Sequence, residues 1–306
     1  MEEKTLSENT IKTYNQIINK LKKDMNIKNN NYFINKIDDV INFIINKYDN
    51  PASQITYYSS IINLLNNDNK INDNNKELII NEYKKLINKN RLIVNENNKN
   101  NEKSQKELNN WMEWEEIINI FNDLYNKYNK YLSLRKDNKI DDKLYNSIQN
   151  MVILSFYVLL EPRRAEYIKL KYKNYDIKID NYFDIDNKLI VLNDYKTHKY
   201  KNEFIIDLKK NKKLYDIIRG FIKLKLFNNY NSDYLFNSLN NTPIDNSQLA
   251  KRLNIIFNKN ISVSMIRKIY LTNQYGNDYE TIKNIKKTSQ NMGNSINVIL
   301  SNYIKK

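Results

Sequence analysis

The chain has no cysteine, one histidine (His198), and only three glycines and three prolines among its 306 residues. Without cysteine there are no disulfides and no thiolate chemistry, and a lone histidine excludes the usual zinc sites. Catalysis, if there is any, must run on Tyr, Lys, Arg, Ser, Asp or Glu. No apolar run approaches the roughly 20 residues that a membrane span needs, and Met1-Glu2-Glu3-Lys4 lacks the apolar core of a signal peptide. A soluble intracellular protein is the expectation. The abundance of Asn, Lys and Ile follows AT-rich codons, so Asn-rich tracts such as Asn95 to Asn101 lose some of their force as marks of disorder.

What the chain does have is positive charge. Fifty Lys and Arg against 35 Asp and Glu give a formal net charge of +15. Charge of this size costs self-repulsion unless a polyanion takes it up, with nucleic acid the first candidate and an anionic membrane surface the second. Lysine supplies nearly all of it. The arginines are Arg91, Arg135, Arg163, Arg164, Arg219, Arg252 and Arg267, so the adjacent pair Arg163-Arg164 suggests a need for planar guanidinium forks rather than for charge alone.

The length suits two domains. Ile11, Tyr14, Ile17, Ile18 and Leu21 recur at helical spacing, with Ser7 as candidate N-cap. Further helices are expected at about Ile37 to Tyr48, from Asn50-Pro51 with Tyr57, Tyr58, Ile61, Leu64 and Leu65 buried, and at about Lys76 to Ile87. Periodicity then fails from Asn88 to Asn109, the composition of a solvated connector. The expected division is a helical domain over 1–90, a linker over 91–109 and a second domain over 110–306. Trp111 and Trp114 open the next helix, and the one after it turns apolar on nearly all sides between Met151 and Leu160, as in a helix through a domain centre. Leu189 to Leu192 and Phe204 to Leu208 alternate as strands, and the hairpin between them carries Lys196, His198, Lys199 and Lys201. Helices follow at about 213–227, 247–257, 262–275 and 279–290, with a last short one to the end. The fold class is mainly α (α+β), with a small antiparallel sheet in the second domain.

Four features fall in one order. They are Arg163-x-x-Glu166 after the central helix, a lysine at a hairpin tip, Ser264-Met265-Ile266-Arg267 opening a helix, and Met292-Gly293-Asn294 followed nine residues later by Tyr303. This order resembles the tyrosine recombinases, the integrase family that shares its catalytic core with type IB topoisomerases. The resemblance covers the whole chain, with a core-binding domain first and a catalytic domain second. Arg163 matches the first catalytic arginine, Glu166 the carboxylate that orients it, Lys196 the hairpin lysine, Arg267 the second arginine and Tyr303 the nucleophile. The family's two histidine positions fall on Ser264 and Asn294, a departure that touches the acid-base part of the mechanism.

The resemblance implies a site-specific recombinase or integrase that cuts and rejoins duplex DNA through a 3′-phosphotyrosyl intermediate, without cofactor or metal. It also implies a homotetramer on DNA and, given the AT-rich composition, integration of a virus or mobile element in a host nucleus or viral factory. The residue types fit that chemistry. Arginine forks stabilise charge on the non-bridging phosphate oxygens, a lysine can protonate the leaving 5′-oxygen, and Ser264 and Asn294 can hydrogen-bond a phosphate. A free tyrosine has a pKa of about 10, so water or the arginine field must help Tyr303. Arg164, His198, Lys199 and Lys201 read as DNA contacts. Blander readings stand beside these. Tyr303 is one of 24 tyrosines and could simply pack, Lys199 or Lys201 could take the place of Lys196, and His198 suits a solvated turn equally well. Two other functions remain open: a topoisomerase-like relaxase with the same chemistry, and a DNA-binding relative that has lost catalysis.

Overall fold

The computed structural model describes residues 6–68, 75–99, 102–134, 140–196 and 202–304. The chain forms two compact units, Met1–Lys103 and Ser104–Lys306. It is mainly helical with one small antiparallel sheet, as the sequence pattern leads one to expect.

In the first unit the helices are α1 (Glu8–Asp24), α2 (Tyr32–Asn35), α3 (Ile37–Lys47), α4 (Pro51–Asn67) and α5 (Lys76–Lys99). The Ser7 hydroxyl caps α1 by accepting from the Thr10 amide, and Asn50 caps α4 by accepting from Ala52 just ahead of Pro51. The apolar stripes of these helices meet in a core around Leu21, Phe33, Val40, Ile44, Ile61 and Tyr83, where the Tyr83 hydroxyl donates to the Phe33 carbonyl at 2.9 Å. Helix α5 runs twelve residues past the expected stop at Ile87. Burial of Asn90, whose amide donates to the buried Gln54 side chain of α4 at 2.9 Å, is a tertiary tie that local propensity does not register.

The second unit opens with α6 (Gln105–Asn110), a short helix inside the expected linker, closed by a capping box between Ser104 and Glu107. Next come α7 (Trp114–Leu134) and α8 (Asp142–Val158). Every residue of α8 from Met151 to Tyr157 is buried, so this helix is the axis of the unit. A 3-10 turn, Ala165–Lys169, leads to β1 (Tyr182–Asp184), β2 (Leu189–Leu192) and β3 (Phe204–Asp207), which pair antiparallel in the order β1-β2-β3. Strand β1, three residues long, had no period-two signature of its own. The rest is α9 (Lys212–Phe227), α10 (Asn246–Phe257), α11 (Val263–Tyr275), α12 (Tyr279–Asn291), α13 (Ile296–Val298) and a π turn, Ile299–Tyr303.

Polar ties hold this unit together where apolar packing alone would not fix direction. Lys225 of α9 is fully buried, and its ammonium donates to the carbonyls of Tyr234 (2.6 Å) and Leu235 (3.0 Å) and to the Asn237 side chain (2.6 Å). Asn237 in turn joins Tyr145 and Gln149 of α8. Burial, with a smaller contribution from Lys173, pulls the Lys225 pKa down to about 7. Among the described residues, no helix is long and apolar enough to cross a membrane.

Candidate active site

The site starts where α8 stops. Past Val158 the Asn211 amide takes up the Leu159 carbonyl at 2.6 Å, and buried Pro162 turns the chain into the 3-10 turn. Tyr167 and Ile168 sink into the core, which leaves the two arginines ahead of them pointing apart.

Arg164 is exposed and lines a cleft of about 360 Å³ with Ala165. Asn246, Leu249 and Ala250 of α10 form a second wall of this cleft, and Ser264 and Arg267 of α11 form a third. Ser264 and Arg267, three residues apart on one helix, present neighbouring side chains. Ser262 caps α11 by accepting from the Met265 amide at 3.3 Å, while the first-turn amides of Val263 and Ser264 have no partner within the helix. Two guanidinium groups, a hydroxyl and a helix N-terminus thus converge on one opening. Each favours an anion, and a forked arginine matches the oxygens of a phosphate.

The walls are braced from behind. Arg252 forks from α10 onto Asn146 (2.7 Å) and Asn150 (2.8 Å) of α8. Lys268, next to Arg267, pairs with Glu107 of α6. That pairing, with the Ser104 amide, holds the Glu107 carboxyl down at about 2. Lys259 donates to the Trp111 carbonyl at 2.9 Å, so α6 and the residue after it pin the turn before α11.

Arg163 turns the other way. Its guanidinium carbon stands 4.0 Å from the centre of the Phe204 ring on β3 and 5.5 Å from that of Tyr195. Its Nε is buried and donates no hydrogen bond, and the buried Oε2 of Glu166 accepts none. No ion pair between Arg163 and Glu166 occurs among the described residues. The Glu166 carbonyl accepts from the Asn181 amide (3.3 Å). Asn181 also accepts from the Asp194 amide (2.7 Å) and donates to the Asp194 carbonyl (2.9 Å), tying the base of the hairpin to the 3-10 turn.

Lys196 is exposed just beyond that base. His198, Lys199 and Lys201 lie outside the described residues. Asn294 closes α12. Its amide donates to the Ser289 carbonyl (2.8 Å) and that of Gly293 to Gln290 (3.1 Å), with Gly293 at φ +67° in the left-handed region. The Asn294 side chain donates to the Met292 carbonyl at 3.1 Å. Tyr303 ends the π turn, closed by the Ile304 amide on the Ile299 carbonyl (3.1 Å), and is 58% exposed. The structure therefore gathers Arg164, Ser264 and Arg267 at the cleft and leaves Arg163, Glu166, Lys196, Asn294 and Tyr303 off its walls.

No family model, curated protein or solved structure matches the chain.

Three contributors had no sequence signal as site residues. Asn181 was one asparagine among very many, Asn246 sat at a helix start, and Phe204 read only as a strand residue. An aromatic opening a strand after a basic hairpin is the nearest thing to a clue for Phe204.

Proposed function

We propose that the chain is a DNA strand transferase of the tyrosine-recombinase type. The observation that carries this reading is the cleft where Arg267 and Ser264, at the N-terminus of α11, face Arg164, with Arg163 on the adjoining turn. That constellation suits one phosphodiester of a polyanion, and the +15 charge suits the rest of it.

In the reaction the Tyr303 oxygen attacks phosphorus, a new P–O bond to tyrosine forms, and the bond to the 5′-oxygen breaks. Lys196 delivers the proton that turns the departing 5′-oxygen into a hydroxyl. The tyrosine proton leaves to solvent, Ser264 being a poor base. Arg163 and Arg267 stabilise the charge on the non-bridging oxygens, and Arg164, Ser264 and Asn294 hold the phosphate by hydrogen bonds. A 5′-hydroxyl attacking the phosphotyrosine reverses the sequence. The bond energy is conserved throughout, so the chemistry calls for no nucleotide and no metal. Exposed Tyr303, together with Arg163, Lys196 and Asn294, none of which lines the cleft, has to reach the phosphate once duplex is bound. Integration of a viral or mobile element by a homotetramer on DNA, in a nucleus or viral factory, is the role that fits this activity.

The test is a nicked or suicide duplex incubated with the protein in EDTA and run on a denaturing gel. A covalent protein-DNA band from wild type that is absent from Tyr303→Phe is the expected result, and product topology then separates recombination from relaxation. A DNA-binding relative without catalysis is favoured by the positions of Arg163, Lys196, Asn294 and Tyr303 off the cleft walls. DNA binding with no adduct on any substrate would select it.

A further inference from the structure

Off the cleft walls, Arg163 and Phe204 make a contact that the chemistry above does not use. The guanidinium carbon lies 4.0 Å from the Phe204 ring centre, with Tyr195 at 5.5 Å on a second side. A planar cation over an aromatic face at this distance is held in orientation as well as in place. Packing does not otherwise explain the phenylalanine. Phe204 is 40% exposed and starts the edge strand β3, opposite Leu192, where a β-branched or polar residue would serve the sheet equally well.

Among the described residues no hydrogen bond or ion pair sets the direction of this arginine. Its Nε is buried and unpartnered, and the nearest carboxylate in sequence, Glu166, leaves its own buried Oε2 without a donor. A buried donor left empty is costly, so Nε gives the arginine no anchor, and terminal guanidinium nitrogens held in a fixed plane are what an incoming acceptor oxygen would need. We propose that Phe204 is a positioning residue for Arg163: its ring fixes the guanidinium plane, with Nε on the buried side, so that the terminal nitrogens are presented to a phosphate oxygen of bound DNA. This rests on the strand-transfer reading for the identity of the acceptor. The orientation itself does not depend on that reading.

Arginine is rare here, with seven in the chain, so the side-chain Nε–Hε resonances form a sparse spectrum, and Arg163 is assigned by its loss in Arg163→Lys. In wild type the Arg163 Hε signal should lie upfield of the other arginines through the ring current of Phe204. It should move again when duplex DNA is added. Phe204→Ile, β-branched and at home on a strand, should return the signal to the position of a free arginine and abolish its response to DNA. Phe204→Trp, which keeps a ring, should preserve both. Covalent adduct formation should fall roughly 3- to 30-fold in Phe204→Ile, the span that cation-π energies correspond to, and recover in Phe204→Trp. An Arg163 signal unaltered by Phe204→Ile would overturn the proposal, whatever the adduct assay gives. A ring-dependent signal together with no adduct from wild type would instead leave the positioning intact and remove the strand-transfer reading. The exposed edge position makes misfolding of the isoleucine variant a minor concern, and the wild-type shift needs no variant at all.

Discussion

Arg163 and Arg164 are neighbours in the chain and part company in space. Backbone direction after Pro162 sends one guanidinium onto an aromatic ring and the other into the cleft. Lysine substitution separates their duties, because it keeps the charge and removes the planar fork. Arg267→Lys should lower the rate of adduct formation about 100-fold, the scale on which losing a preorganised donor to a developing oxyanion is felt. Arg163→Lys should cost a similar factor with DNA affinity nearly unchanged. Arg164→Lys should act mainly on affinity, since an exposed arginine at a cleft mouth meets the phosphate before the reaction does. Single-turnover rates and binding isotherms on the same duplex check all three. Equal loss of rate from Arg164→Lys and Arg163→Lys would mean that the two guanidiniums act as one pair.

At the scale of elements, the buried ammonium of Lys225 decides how α9 is anchored. Its three donors meet three acceptors, on Tyr234, Leu235 and Asn237, yet no carboxylate among the described residues pairs with it. Lys173 nearby adds like charge, and Tyr172 and Phe221 contribute only ring faces at 5.0 and 5.8 Å. The folded pKa, about 7, lies below that of a lysine in the unfolded chain, about 10.4. Between those values the unfolded state binds more protons, so stability rises with pH over that window. Thermal melts should climb from pH 7 to about 9.5 and turn over near 10, where tyrosines such as Tyr145, whose ionisation burial pushes up, begin to ionise only in the unfolded chain. Lys225→Met should destabilise by about 3 kcal/mol by leaving the acceptors empty and should flatten the rise. A melting profile with the same slope in both proteins would show that Lys225 is not its source.

Elements were the most legible level of this sequence, and the reasons are local. Ser7 and Asn50-Pro51 cap their helices as short-range hydrogen bonding requires, and the all-round apolar stretch of α8 became the central helix. The second half of α5 and the whole of α6 were hidden, since asparagine is a weak helix former and codon bias had already blurred the boundary between linker and helix. What holds them is tertiary: Asn90 on Gln54 in one case, Glu107 on Lys268 in the other. Within the site, the three-residue spacing of Ser264 and Arg267 was readable because helical periodicity puts i and i+3 together. Which arginine faces the cleft was not, because it turns on the path of a few residues after Pro162.

For the whole molecule the governing quantity is the charge of +15. A protein that meets duplex DNA largely through lysines releases counterions in proportion to the phosphates it covers. Affinity for a duplex of arbitrary sequence should therefore fall about 10³-fold or more between 50 and 200 mM salt, the behaviour of a protein making roughly six or more phosphate contacts. Fluorescence anisotropy at several salt concentrations measures the slope. A slope of about one ion or less would mean that the charge serves something other than DNA.

Gly293 sits in the left-handed region at φ +67°, and a methyl group added at its Cβ position would meet nothing within 4 Å. The demand at this position is therefore one of chirality and not of room. The left-handed backbone is one a mirror-image residue adopts without strain, while ordinary alanine would be strained in open space. The direction in which the chain leaves α12 on its way to Tyr303 thus depends on the handedness of a single residue whose Cβ position stands open.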